Sequence, residues 1–322
     1  MAPPLSERLL FHDLEPERSC FHKDIINGLS GRPRSIPPKY FYDEHGSHLF
    51  DAICDTPEYY PTRTEVAIIK DNLNEICAYL GKECVLIEPG SGASKKIRLL
   101  LDVLEPHTYI PLDISSDYLY SVASDLVSEF PKLKVIAACV DFTAPIKLPD
   151  YPAQKRRVAF FPGSSIGNFE PEEAVIFLRN LHDLVQADGG LLIGVDLKKD
   201  PDILNNAYND KQGITAQFNL NVLAHINREL NANFNFDCFE HKAFYNEVLG
   251  RMEIYLLCKS GQTVTVGNSV FEFVEGESIH TENSYKYSIS EFHALAGEAG
   301  FKNKKTWVDT NKLFSIHYFS AL

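Results

Sequence analysis

The sequence predicts an α/β fold: a Rossmann-like, mostly parallel sheet covered by helices, with a second, smaller α+β lobe. Three observations predict it. Between residues 85 and 196 short apolar runs alternate with helix-periodic segments, the pattern of repeated βαβ units. The first run, Val85-Leu86-Ile87, ends in the turn Glu88-Pro89-Gly90-Ser91-Gly92-Ala93-Ser94 and passes into an apolar-periodic stretch at 97–104, so strand, glycine turn and helix follow one another. The alternation stops at 201–279, and strand runs resume only at the end of the chain, so a segment of different character interrupts the sheet.

Taken in order, residues up to Asp13 read as a loose arm. A helix is expected at about 17–29, stopped by Gly28, Gly31 and Pro33. After the aromatic stretch Tyr40-Phe41-Tyr42-Asp43 comes a helix at 46–54 with Leu49, Phe50 and Ile53 on one face. The stretch Glu58-Tyr59-Tyr60-Pro61-Thr62-Arg63-Thr64-Glu65 opens a long helix at 65–80, with Thr62 as its cap. Tyrosines this dense serve either as a core wedge or as pocket lining. Strands follow at 85–89, 108–112, 133–140, 157–161 and 191–196, separated by helices at 94–104, 115–129 and 171–186. The insertion reads as helices at 202–207 and 214–229 and β segments at 243–250, 252–258, 263–266 and 269–274. A helix at 289–299 and two strands, 305–308 and 314–319, close the chain as an antiparallel hairpin. The division is therefore 1–60 plus 197–286 for the smaller, substrate-binding domain and 61–196 plus 287–322 for the larger, cofactor-binding one.

The 322 residues suit one large core with a smaller lobe, and 44% hydrophobic with 23% charged residues is an ordinary globular composition. A net charge of −13, from 31 Lys+Arg against 44 Asp+Glu, argues against a nucleic-acid partner. The basic run Lys155-Arg156-Arg157 reads as a loop in water. Seven cysteines without Cys-x-x-Cys spacing support neither a disulfide framework nor a zinc site, and read as small buried hydrophobes. No segment has membrane-span length, so the expectation is a cytoplasmic monomer without a membrane partner.

The glycine turn decides the cofactor. A dinucleotide fingerprint needs a third glycine where Lys95 stands, which disfavours a nicotinamide dehydrogenase, and the Walker pattern is absent. What remains is Glu88 at a strand end, a Gly-Ser-Gly turn and a lysine pair in the first helical turn, an arrangement for a nucleoside with a zwitterionic tail. The next strand ends at Asp113, where such sheets hold ribose hydroxyls, and the third ends in Asp141-Phe142, an acceptor for an adenine amino group and a ring for the base. Each acid alone also suits a helix cap or a solvated turn. Three acids closing three successive strands favour S-adenosylmethionine. The loop after the fourth strand, Pro162-Gly163-Ser164-Ser165-Ile166-Gly167-Asn168-Phe169, lies at the ligand-binding edge; Asn168 either contacts ligand or caps the helix beginning near Pro171.

With these stretches assembled, the chain closely resembles the histidine Nα-methyltransferases of ergothioneine biosynthesis. The resemblance runs from about Arg18 to the C-terminus. It rests on Tyr40-Phe41-Tyr42-Asp43, the 57–65 stretch, the 89–94 turn, the 162–169 loop and Thr281-Glu282-Asn283-Ser284-Tyr285-Lys286-Tyr287. It implies a class I methyltransferase sheet and successive S-adenosylmethionine-dependent methylation of the α-amino group of L-histidine to its trimethylated betaine, hercynine, with no metal. By the same resemblance, Gly90, Lys96, Asp113, Asp141 and Phe142 are expected to contact the methyl donor. Tyr59, Asn168, Tyr208, Glu282, Asn283 and Ser284 are expected to contact the amino acid, with Tyr42 and Gly163 near the reacting amine and Met252 near the imidazole. Tyr42 and Asn168 are the two counted as catalytic.

Methyl transfer requires a neutral amine aligned with a sulfonium methyl, not a covalent nucleophile. Glu282 and Ser284, at i and i+2, fall on one face if extended and give the imidazole N–H a partner; alternatively, Glu282 is a surface residue on a β edge. The rings at 40–42 and at Phe161 and Phe169 offer faces for a quaternary ammonium. Two other readings stand beside this one: methylation of another aromatic amino acid such as tryptophan or a derivative, and a non-catalytic S-adenosylmethionine-binding protein.

Overall fold

The computed structural model describes residues 8–14, 18–143 and 155–322. The described residues divide into two compact units: those within 1–16, 61–198 and 286–322 form the first, and those within 17–60 and 199–285 the second.

The first unit is built on an eight-stranded sheet. Its parallel strands are β1 (Leu9–Asp13), β3 (Val85–Pro89), β4 (Thr108–Asp113), β5 (Val135–Cys139), β6 (Arg157–Phe161) and β7 (Gly190–Asp196), where β2 is reserved for Arg34–Ser35 of the second unit. The strand order β1-β5-β4-β3-β6-β7 ends in the antiparallel hairpin β14 (Phe314–Ala321) and β13 (Phe301–Val308), as expected. Every residue of β3 to β7 is buried, which is why these strands read as unbroken apolar runs. Helix Lys95–Leu104 turns Ile97, Leu100, Leu101 and Leu104 into the core, each worth about 2 kcal/mol of burial. The order reverses between β3 and β6, and that reversal places the turn after β3 beside the loop after β6.

Three expectations for this unit need correction. Leu9–Asp13 is no loose arm; it adds a parallel strand beside β5, and so falls outside the smaller lobe to which 1–60 had been assigned. The backbone groups of an open sheet edge demand partners that no local pattern announces. The helix expected at 65–80 is two helices, Tyr60–Asp71 and Leu73–Leu80, and Thr62 lies inside the first rather than capping it. The break is at Asn72, whose side-chain amide bonds the Ile68 carbonyl at 2.9 Å and competes with the helix ladder. Of the basic run, only Arg157 leaves the water, buried at the start of β6; Arg156 stays exposed while donating to the carbonyls of Tyr79, Leu80 and Asp188.

The second unit packs helices Arg18–Ser30, Glu44–Cys54, Pro201–Ala207 and Ile214–Leu230 with a four-stranded sheet, in order β2, β12 (Ser278–Tyr285), β9 (Arg251–Cys258) and β8 (Phe239–Asn246), and a hairpin of β10 (Gln262–Val266) and β11 (Ser269–Phe273). β12 is a strand additional to those expected, and β8 begins at Phe239, four residues before the expected start at 243. Register slips by one residue at Thr281, so His280 opposes Tyr255 while Glu282 opposes Ile254. This bulge moves Glu282 from the face of His280 to that of Met252, Ile254 and Leu256. No described helix is long and apolar enough to cross a membrane. Buried Cys77, Cys84 and Cys139 behave as hydrophobes, burial pushing Cys84 and Cys139 up to about 12.

Candidate functional site

In the first unit the turn after β3 is shaped by its glycines. Gly90 has φ +67°, and a Cβ there would meet the Phe142 ring at 3.1 Å, so backbone and ring approach as only glycine permits. The Gly90 and Ser91 amides donate to the Leu112 carbonyl, pinning the turn to β4. Asp113 is 9% exposed, and its carboxylate accepts from the Gly92 amide at 2.9 Å and the Ser115 amide at 3.2 Å. Burial raises its pKa, with those amides opposing the rise. Asp141 closes β5 and accepts from Thr143, while Phe142 packs edge-on against Phe161 and Phe177.

Glu88 lies beneath the turn, 2% exposed, and takes a hydrogen bond from the Tyr109 hydroxyl. Burial pushes its carboxyl up to about 8, held back by Tyr109 and Lys96 and augmented by Glu65 and Asp113. A deeply buried acidic wall with one lysine suits a ligand carrying positive charge and hydroxyl donors. The Ser91 hydroxyl, although buried, has no hydrogen-bond partner among the described residues. With the Gly90 approach and the Asp113 carboxylate, it fits the residues here to a nucleoside donor bearing an amino-acid tail.

The loop after β6 faces the same sheet edge. Gly163, at φ +84°, turns its amide onto Glu65, 3.0 Å from each carboxylate oxygen, and the Ser164 hydroxyl accepts from the Asp196 amide at 2.9 Å. Asn168 ends a short 3-10 turn, Ser165–Asn168. It does not cap the next helix: Glu170 does, in a capping box with Glu173. The bland reading of Asn168 is thereby removed.

In the second unit the sequence-predicted acceptor residues gather on one face of its sheet. The Tyr208 hydroxyl bonds the Ser284 hydroxyl at 2.8 Å, and Met252, fully buried, is the cross-strand partner of Ser284. The Tyr59 ring stands 6.3 Å from Tyr208. Burial first, then the proximity of Tyr208, Cys54, Tyr42 and Glu282, holds the Tyr59 phenol well above the usual tyrosine range, so it is a neutral donor at physiological pH. Glu282, half-buried, stands on the same face of β12 as Ser284 and close enough to Tyr59 to raise its phenol further. Asn283 is the exception: alternation turns it to the opposite face, where its Oδ1 meets His280 Nε2 at 2.8 Å.

Tyr42 is presented by the 3-10 turn Pro38–Phe41 and meets Phe50 and Phe218 edge-on, with ring centroids 5.7 and 5.6 Å away. Within the first unit, Phe161 and Phe169 pack on Phe177. The sequence reading placed Phe50 only on a helix face and missed Phe218 and Glu65 as site residues. Phe218 carries no local signal, whereas Glu65 stood at the end of the very stretch that was singled out.

The family model described as "Histidine-specific methyltransferase, SAM-dependent" matches residues 21–321. The chain is 41% identical over 296 residues to the histidine N-alpha-methyltransferase of Mycolicibacterium smegmatis, covering 90% of this chain and 91% of that one. It is 30% identical to ergothioneine biosynthesis protein 1 of Neurospora crassa, covering 88% of this chain and 33% of that longer protein. The fold is that of an S-adenosylmethionine-dependent methyltransferase from Clostridium acetobutylicum, with TM-score 0.51 at 10% identity over 85% of this chain and 98% of that one. The chain belongs to the family of histidine-specific, S-adenosylmethionine-dependent methyltransferases.

Proposed function

We propose that this enzyme transfers methyl groups from S-adenosylmethionine to the α-amino nitrogen of L-histidine, three times in succession, to give the betaine hercynine for ergothioneine synthesis. The methyltransferase class follows from the family and fold; the acceptor, the number of transfers and the role of each residue are the proposal. The observation that carries it is the clustering of Tyr59, Tyr208, Glu282 and Ser284 in one unit, an acceptor set able to recognise an imidazole and an amino-acid head.

The donor, when bound, supplies an electrophilic sulfonium methyl. The chain's own task is to hold a neutral amine in line with it at about 3 Å. Gly90, Asp113, Asp141, Phe142 and Lys96 hold the donor's nucleoside and tail. Glu282 and Ser284 take the imidazole N–H, Tyr59 and Met252 line the ring, and Asn168 and the Tyr208 hydroxyl take the substrate carboxylate. Gly163 and Tyr42 are assigned to the reacting amine. Tyr42 orients it rather than deprotonating it, since a phenol is a poor base near pH 7. In each round the ammonium form first loses one proton to give the neutral amine, whose lone pair forms the N–C bond as the C–S bond breaks and the sulfur keeps its electron pair. Phe50 and Phe218 beside Tyr42 extend the aromatic surface that keeps attracting the nitrogen once it has lost its hydrogen bonds.

Mass spectrometry of histidine incubated with the purified enzyme and S-adenosylmethionine tests this directly. The expected products carry one, two and finally three added methyl groups. Absence of any mass gain on histidine, or preferential methylation of tryptophan in a competition, would end the proposal.

A further inference from the structure

Glu65 is buried to 1% of its side chain, and its carboxylate does three things at the point where the sheet order reverses. It pairs with the Lys96 ammonium at 2.5 Å, it accepts the Gly163 amide at 3.0 Å on each oxygen, and it fills the space that Gly194 leaves on β7, where a Cβ would stand 2.0 Å from Oε1. Lys96 itself lies 3.3 Å from where a Gly163 side chain would begin. One carboxylate thus joins the helix opening at Tyr60, the helix after the donor turn and the loop after β6.

A buried ion pair is a poor device for stability alone, because apolar side chains of like volume pack there at less desolvation cost. What it does supply is direction. An ammonium has three donors; with one committed to Glu65, the other two have defined orientations, and Lys96 retains 17% exposure to receive a ligand. We propose that Glu65 is a positioning residue, which aims the Lys96 ammonium at the carboxylate of the donor's amino-acid tail and, through the Gly163 amide, holds the acceptor loop at the same edge. This rests on the donor site proposed above. Gly194 is part of the device, since any side chain there would evict the carboxylate.

The test uses two ligands, S-adenosylhomocysteine, which has the tail, and 5′-methylthioadenosine, which lacks it, titrated calorimetrically into the full chain. Glu65→Gln keeps shape and an acceptor for Gly163 but turns an amide N–H or a neutral oxygen towards Lys96. It is expected to weaken S-adenosylhomocysteine by about tenfold or more, the loss of a charge-assisted orientation, and to leave methylthioadenosine unchanged. In a Lys96→Met background the same substitution should add nothing. Gly194→Ala, which displaces Glu65 without altering its charge, should reproduce the selective loss, and methylthioadenosine binding reports that either variant is folded. Equal weakening of both ligands in both variants would mean that Glu65 merely holds the fold, and no weakening of either would mean that Lys96 is aimed without it; each overturns the inference. Failure of the unsubstituted enzyme to bind S-adenosylhomocysteine would instead overturn the donor site itself.

Discussion

Glu282 shows how much of a function one side chain can carry and how little its own type reveals. In the proposed site the half-buried Glu282 carboxylate, beside Tyr59, is the acceptor for an imidazole N–H. Tryptophan also has an N–H, but on a larger ring placed differently, so in the proposed site selectivity rests on where the carboxylate stands. Glu282→Ala should therefore lower the preference for histidine over tryptophan by at least about tenfold, as expected when a site built around a hydrogen bond loses its partner. Competition between the two amino acids measured by product mass decides it; an unchanged ratio would place the ring elsewhere. Serine and methionine alone would not have suggested an imidazole site. Ser284 acquires meaning from the Tyr208 hydroxyl, and Met252 from lying opposite it.

At the scale of elements, single residues decide how segments begin, end and face. Asp43 caps the helix Glu44–Cys54 through the Gly46 amide at 2.7 Å, and also accepts from Asn221 at 2.8 Å and Arg228 at 2.8 Å on the helix Ile214–Leu230. These bonds outweigh its burial and hold its carboxyl below the usual range. Since the folded pKa is the lower one, this contribution is present above the unfolded value and is lost as pH falls through the acidic range. Asp43→Ala should destabilise the protein by about 1 to 2 kcal/mol and disturb the neighbouring Tyr42. Urea denaturation at neutral pH is the measurement, and an unchanged midpoint would mean that the cap contributes nothing. Thr281 acts differently. By inserting one residue into β12 it carries Glu282 onto the face of Met252, an outcome that strict alternation from His280 would have reversed.

At the scale of the whole chain, the first unit closes on groups far apart in sequence. Lys286 pairs with Asp196 at 2.9 Å, both side chains 1% exposed, tying the return of the chain to the end of β7. Between the helix Ile289–Glu298 and the last hairpin lies a polar cluster. His317, fully buried, accepts or donates to Ser315 at 2.8 Å and faces His293, which in turn meets Asn303 and Thr306. Burial, aided by His293, pushes His317 down to about 3 from an ordinary 6.5. The folded state therefore resists a proton that the unfolded chain accepts, and stability is lost as pH falls below 6.5 towards 3. The slope should reach about 1.4 kcal/mol per pH unit from this one group. His317→Gln should flatten the decline of melting temperature between neutral and mildly acidic pH; an identical decline would assign acid sensitivity to other groups.

How much of this was legible in advance follows from the range of the forces involved. The βαβ alternation, the glycine turn, the strand-end acids Asp113 and Asp141 and the final hairpin were readable because they are local: period, turn chemistry and burial on both sheet faces are written into neighbouring residues. The family was readable because five motifs occurred together. Tertiary structure alone decided the rest. It made Leu9–Asp13 an edge strand, broke a helix at Asn72 with a side-chain amide, buried Arg157, set Phe50 and Phe218 beside Tyr42 and turned Asn283 away. It also brought Glu65 from a tyrosine-rich stretch onto Lys96 and Gly163. Each of these depends on a partner distant in the chain, and the cost of leaving a buried charge or backbone group unpaired is settled only when that partner arrives.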